Sequence, residues 1–400
     1  EPGRAGLFRR PDAALAALAS LASLAFWARP TRRRPPGHRR LHTASLSARS
    51  PTRRWLIRLA CAPVTPRRIC LRTLLAVGAL VASGLVGAFG AARASAAAPE
   101  YALVTEPADG FGAIYSLITS ARHTLEMTMY ELSDPRAEAG MATDAEHGVR
   151  VRVVLDQNLA RSFNTPAYDF LSSHGVAVHW APSSYDVTHQ KTITVDGDVS
   201  AVMTLNLTSE YYSTTRDFAI IDRDRADVAA IEAVFNNDFA GRSNSPEPAR
   251  ADLIWSPGAD ARLVRIIGSA KHAAYVENEE MSEYTIVDAL CAAARRGVHV
   301  EVVMTDQSAW EANFDKLVAA GAHVSTYASN ANLYIHAKVI DVDPGYPDEQ
   351  LDIGSQNFSW ASLEYNRELG LDLGPAQAGI VDSVAATVRS DFAHGAPWSR

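Results

Sequence analysis

Two short stretches of this chain carry the same reactive residues in the same order. The first is His189-Gln-Lys191-Thr-Ile-Thr-Val-Asp196 and the second is His336-Ala-Lys338-Val-Ile-Asp-Val-Asp343, both of the form HxKxxxxD. Downstream follow Thr204-Leu-Asn206 and Gly354-Ser355-Gln-Asn357, then Arg216-Asp217 and Arg367-Glu368. The step from Asn206 to Asp217 is 11 residues, and so is the step from Asn357 to Glu368. In an extended segment residues two apart share a face, so each His can look into one pocket with its Lys. Lysine is a fixed positive charge for phosphate oxygens, and asparagine offers neutral donors. Histidine can act as nucleophile or as acid and base, and a nearby carboxylate can orient its ring. A single His-x-Lys on a strand is usually a solvated edge. Two matched sets, related by a pseudo-two-fold, would supply a nucleophile, an acid and a clamp of two lysines and two asparagines.

The elements that must position these residues repeat as well. A helix-period segment runs into a strand over 116–131 and again over 264–279. Gly148 and Gly297 each mark a helix end before a strand of alternating β-branched residues, and a second helix and strand follow at 168–180 and 314–327. Strands alternating with helices argue for an α/β fold with buried sheets. The repeats are expected at 101–243 and 251–395, joined by a turn-rich linker at 243–249. An insertion at 344–350 lengthens the second hairpin and leaves the later spacing intact.

Charge divides the 400 residues into unlike parts. Residues 1–96 hold 17 of the 38 basic residues, all Arg, and only two acids, Glu1 and Asp12. The rest carries 21 basic and 43 acidic residues, a net charge of −22. Residues 1–65 are a low-complexity Arg/Ala/Pro-rich extension that cannot bury a core. They are expected to be disordered and to precede the true translation start. Residues 66–96 combine a basic stretch with Arg67-Arg68, a charge-free apolar run and Ala94-x-Ala96, the layout of a twin-arginine-like export signal cut after Ala96. The alternative is an uncleaved membrane anchor. Of Cys61, Cys70 and Cys291 only the last lies beyond this region, so no disulfide framework is expected there, and Cys291 reads as a core residue. The other histidines show no ligand-like clustering, and no metal site is expected.

The quoted residues, with Gly354-Ser-Gln-Asn-Phe-Ser and Asn366-Arg-Glu-Leu-Gly, resemble the phospholipase D superfamily over about 101–392. The resemblance implies two similar α/β halves packed face to face with one active site at their junction. It implies a two-step reaction without metal or cofactor. One His attacks phosphorus and forms a phosphohistidine; the other protonates the leaving alcohol, then activates water or another alcohol. By the same resemblance His189 is the nucleophile and His336 the general acid. Lys191, Lys338, Asn206 and Asn357 hold the phosphate, and Asp217 and Glu368 orient the rings. Asp196 and Asp343 complete the catalytic sets, and Thr204 and Ser355 meet the substrate. The first copy departs from the pattern with Met203-Thr204 where the family often has Gly-Ser, a change expected to narrow the phosphate loop or shape substrate choice.

The acidic balance opposes nucleic acid as a partner, since such binding draws on Lys and Arg. The expected function is a secreted phosphodiesterase of phospholipase D type, hydrolysing or transphosphatidylating a phospholipid head group during transient contact with a membrane surface. The alternatives are a nuclease or other phosphodiesterase, and a phosphatidyltransferase of the cardiolipin synthase kind. Tyr211, Tyr212, Trp310 and Trp360 could touch lipid or could be core and rim residues.

Overall fold

The computed structural model describes residues 99–242, 247–248 and 250–399. The expectations for 1–65 and 66–96 lie outside the described residues. Two half-domains follow one another within a single compact unit, Ala97–Arg400. The first half runs β1 (Tyr101–Glu106), α1 (Gly112–Ile118), β2 (Thr124–Met129), β3 (Leu132–Ser133), α2 (Pro135–Glu146), β4 (Arg150–Leu155), α3 (Arg161–Ser173) and β5 (Ala177–Trp180). It continues with β6 (Thr192–Val195), β7 (Val199–Met203), β8 (Leu207–Thr208), β9 (Thr215–Asp222) and α4 (Arg225–Phe239). The second half runs β10 (Leu253–Ser256), α5 (Asp260–Ser269), β11 (Ala273–Glu277), α6 (Tyr284–Arg295), β12 (His299–Thr305), α7 (Glu311–Ala319) and β13 (His323–Tyr327). It ends with β14 (Tyr334–Ile335), β15 (Val339–Val342), β16 (Gln350–Gly354), α8 (Trp360–Glu364), β17 (Glu368–Leu373), α9 (Ala378–His394) and β18 (Ala396–Pro397).

Both sheets follow one strand order. The first is β1-β9-β7-β6-β2-β4-β5; the second is β10-β17-β16-β15-β11-β12-β13, with β18 added at its edge. Within each, the three strands reached through helices are parallel and the hairpin strands antiparallel. The local chemistry explains the repeat. Gly148 and Gly297 take φ of 90° and 91°, the left-handed conformation that ends a helix and turns the chain into the next strand. Asp134 and Asp224 cap α2 and α4 by accepting from backbone N–H groups of the first turn. The strands are buried almost throughout, so their side chains read as apolar runs rather than strict alternation.

Each half has its own outer core, between its sheet and the helices on that face. A third core joins the halves. It gathers Phe218 and Ile220 of β9, Val234 of α4, Val339 of β15, Leu371 of β17 and Val384 of α9. The inner sheet faces therefore bury one another, with the last helix of each half packed among them. Backbone pairing crosses the same boundary. Tyr334–Ile335 lies parallel to Thr215–Arg216, and Thr188 forms the equivalent bridge with Arg367. These crossings sit immediately before His189 and His336, so the junction itself places the two histidines.

Candidate active site

Each histidine is held by the other half. The His189 backbone N–H donates to the carbonyl of Arg367 at 2.9 Å, and that of His336 to the carbonyl of Arg216 at 3.2 Å. The His189 Nδ1 lies 2.8 Å from Glu368 Oε2, and the His336 Nδ1 lies 2.8 Å from Asp217 Oδ1. Both orienting carboxylates thus come from the opposite half, a crossing that spacing alone does not reveal. Beneath them two arginines brace the junction. Arg367 Nε donates to Asp238 Oδ2 at 2.9 Å, with a side chain 0% exposed. Arg216 bonds Asp391 through Nε and Nη2.

The lysines fold back beside the histidines. Lys191 Nζ donates to the His189 carbonyl at 2.7 Å, and Lys338 Nζ to the His336 carbonyl. Burial, then the charge of Lys338, brings the Lys191 pKa down to about 7. Burial also pushes His189 below the ordinary histidine value, against the pull of Glu368. For Asp217 and Glu368 burial is the largest single influence and works upward, but the facing histidines together with a nearby lysine and hydroxyl outweigh it and both end lowered.

The two rings differ at Nε2. His336 Nε2 lies 3.5 Å from Glu279 Oε2, while among the described residues no protein acceptor lies against His189 Nε2. Glu279 Oε2 also lies 3.1 Å from Lys338 Nζ and 3.3 Å from Asn357 Nδ2. In the first half the corresponding place beside the ring belongs to Tyr130, whose ring centre is 4.7 Å from that of His189 and 5.1 Å from Lys191 Nζ. Asn206 Nδ2 donates to Glu131 Oε2 at 3.1 Å. Glu280 is held up at about 7 by burial and then by Glu279, and Glu131 is raised by burial. Glu131, Glu279 and Glu280 were not assigned from the sequence. The available signal was an acid two residues past the end of each buried strand, at 131 and at 279.

The structure brings together His189, Lys191, Asn206, Asp217, His336, Lys338, Asn357 and Glu368. It does not bring Asp196 or Asp343 to them. Each begins the turn of a hairpin, with φ of 54° and 52°, and accepts from backbone N–H groups ahead of the central strand. Their work is to pin that loop, not to meet substrate. Thr204 and Ser355 are fully buried and committed inward. Thr204 donates to Asp217 Oδ1 at 2.6 Å, and Ser355 Oγ accepts from Leu369 N at 3.1 Å. Both therefore support the site instead of lining it. Met203 packs in the outer core of the first half. Gly354 answers a packing demand, since a Cβ there would lie 2.4 Å from Gly370 Cα. The exchange of Gly for Met thus follows strand packing. Trp310 is core and Tyr212 bonds Asp134, whereas Trp360 is 41% exposed. Cys291 lies in the second outer core. Among the described residues no group of His, Cys, Asp and Glu has the arrangement of a metal site.

The chain is similar to known proteins. The family model described as cardiolipin synthase, PLD-like domain, matches twice, over residues 114–239 and 263–389. Cardiolipin synthase A of Klebsiella pneumoniae is 25% identical over 342 residues, covering 72% of this chain and 68% of that enzyme. Among solved structures, phosphatidylserine synthase of Haemophilus influenzae superposes with a TM-score of 0.59 at 14% identity, covering 75% of this chain and 87% of the other. Polyphosphate kinase of Porphyromonas gingivalis gives a TM-score of 0.57 at 15% identity over 72% of this chain. This chain spans about half, 47%, of that kinase. At these identities the two structures speak to the fold alone.

The relatives overturn the expectation of export. They are cardiolipin synthases, which by name build a lipid, and not secreted hydrolases. The stretch on which export was read, 66–96, lies outside the described residues. No helix of the described residues is long and apolar enough to cross a membrane. With one matched domain in each half, a shared strand order and paired HxK sets at the junction, the chain belongs to the phospholipase D superfamily, as a protein with two cardiolipin synthase-type PLD-like domains.

Proposed function

We propose that this protein is a phosphatidyltransferase of the cardiolipin synthase kind, moving a phosphatidyl group between alcohols through a phosphohistidine. The observation that carries the reading is the asymmetry at Nε2. His189 has its Nδ1 against Glu368 and its Nε2 free, the arrangement of a ring prepared to attack. His336 faces a carboxylate oxygen at each nitrogen, Asp217 at 2.8 Å and Glu279 at 3.5 Å. With a carboxylate near each nitrogen, His336 is placed to take and hand on a proton, and we assign it as the acid. In the first step His189 Nε2 bonds to phosphorus, the head-group C–O–P link breaks on the phosphorus side, and His336 gives its proton to the departing alcohol. In the second step the incoming hydroxyl gives its proton to His336 and its oxygen bonds to phosphorus, releasing His189. Lys191 and Lys338 offset the charge that gathers on the phosphoryl oxygens.

Transfer is favoured over hydrolysis by the matched family and relatives, whose product requires a phosphatidyl group to reach a glycerol hydroxyl. The test is the full chain with phosphatidylglycerol vesicles, with products read by mass spectrometry. Cardiolipin with an equal amount of glycerol supports the proposal. Phosphatidic acid alone points to a phospholipase D-type hydrolase. Absence of both products, when His189→Ala gives the same result, refutes phospholipid chemistry.

A further inference from the structure

Glu279 breaks the symmetry of the site, and it does so at the atom through which the second alcohol must pass its proton. Its Oε2 lies 3.5 Å from His336 Nε2, 3.1 Å from Lys338 Nζ and 3.3 Å from Asn357 Nδ2. Its Oε1 accepts from Tyr334 OH at 3.1 Å, which in turn accepts from Gln307 Nε2 at 3.2 Å. The carboxylate is therefore aimed, and its side chain remains 19% exposed. A carboxylate needed only as counter-charge for an HxK lysine would appear in both halves. Lys191 Nζ has the ring of Tyr130 at 5.1 Å and, among the described residues, no carboxylate in ion-pair contact, Glu131 acting on it only from farther off.

The Oδ1 atoms of Asn206 and Asn357 are buried and have no hydrogen-bond partner. Their Nδ2 atoms face Glu131 and Glu279, which fixes the amides so that acceptors point the other way. Both oxygens are closed to solvent, so they fix how the amides face the two carboxylates. The open group is Glu279, whose Oε2 would repel a phosphoryl oxygen at that point and welcome a hydroxyl.

We infer that Glu279 is the residue that selects the incoming alcohol, binding a second hydroxyl of a polyol while His336 takes the proton of the first. The acceptor class is then a glycerol-like polyol, favoured over simple alcohols and water. The inference rests on the transfer reaction proposed above. Loss of the charge in Glu279→Gln weakens a charge-assisted bond to that hydroxyl.

The experiment reads how one covalent intermediate divides between acceptors, which does not depend on how fast it forms. The full chain is given phosphatidylglycerol vesicles with deuterated glycerol and ethanol together. Labelled phosphatidylglycerol and phosphatidylethanol are then quantified. In the wild type the ratio favours glycerol, and in Glu279→Gln it falls about tenfold. An unchanged ratio overturns the inference and leaves the transfer reading standing. Wild-type protein that yields neither labelled product overturns both. Should Glu279→Gln yield no product, Tyr334→Phe, which frees the carboxylate from its anchor, is read in the same way; an unaltered ratio there counts against the inference.

Discussion

Asp217→Asn separates the roles of the two histidines. Asp217 Oδ1 is buried and accepts from both His336 Nδ1, at 2.8 Å, and Thr204 Oγ1, at 2.6 Å. An asparagine Oδ1 can keep both bonds, so the substitution preserves geometry and removes one buried charge. A hydrogen bond to a charged group contributes about 1.5–3 kcal/mol. Taking about 2 kcal/mol for the loss beside a protonated His336 gives about a thirtyfold fall in any step that needs its proton. The two chemical steps depend on that proton unequally. An alkyl leaving group requires it in the first step, whereas a nitrophenyl group leaves without it. The variant should therefore turn over an alkyl phosphodiester about thirtyfold more slowly. With an aryl phosphodiester it should release a burst of nitrophenol equal to the enzyme and then a slow steady phase, since His336 is still needed to activate the second acceptor. Rapid-quench measurement of nitrophenol from the aryl substrate and of the released alcohol from the alkyl substrate decides. An equal loss on both substrates with no burst would refute the assignment of His336 as the acid.

Three further outcomes follow from the same geometry. Arg367→Met should cost about 3–5 kcal/mol in denaturant unfolding, because it takes the arginine from Asp238 in a fully buried junction, and the double variant with Asp238→Leu should recover much of it. Asp196→Ala should lower stability by about 1–3 kcal/mol through lost bonds to the backbone of His123 and Thr124, while kcat of the folded fraction is unchanged; a specific loss of kcat would return Asp196 to the chemistry. Lys191 and Glu280 both titrate at about 7, so kcat/KM should decline above that pH as the lysine loses its charge and the glutamate gains one. The stability contribution of Lys191 runs the opposite way. Its folded pKa lies below the unfolded value, so the unfolded chain binds more protons between about 7 and 10.5, and stability rises with pH across that window. Lys191→Met should accordingly stabilise the fold most at and below pH 7 while abolishing turnover.

Much of the fold was legible because its punctuation is chemical. Gly148 and Gly297 marked the same helix end in both halves, and both take the left-handed conformation that the reading requires. The strands after them were visible as β-branched runs. The site was legible to the extent that it repeats. His189, Lys191, Asn206 and Asp217 have counterparts at fixed spacing, and the junction gathers both sets. Two kinds of residue were misread. Asp196 and Asp343 recur as faithfully as the histidines, but repetition follows from structural need as readily as from chemistry, and each pins a loop. Thr204 and Ser355 have the hydroxyls that phosphate sites use, and only their burial shows where those hydroxyls point. Glu279 was passed over although an acid stands two residues past each central strand, at 131 and at 279: its counterpart beside the ring is Tyr130, so the paired HxK sets do not flag it.

That unpaired residue bears on how a duplicated fold can run an ordered reaction. Two identical half-sites would offer two equivalent histidines, and either could attack or protonate. The crossing carboxylates do not resolve this, because Glu368 and Asp217 hold their rings at the same 2.8 Å. The difference lies at the far nitrogen. Tyr130 brings a ring edge to His189 and leaves Nε2 open, whereas Glu279 brings an acceptor to His336 Nε2. On the proposed reaction, a single change of residue type at one place in the repeat makes one histidine the nucleophile and the other the proton carrier. Exchanging the pair, Tyr130→Glu with Glu279→Tyr, should move the phosphohistidine from His189 to His336, which peptide mapping of acid-labile phosphate reads directly. Phosphate that stays on His189 in the exchanged protein would show that something other than this pair sets the order.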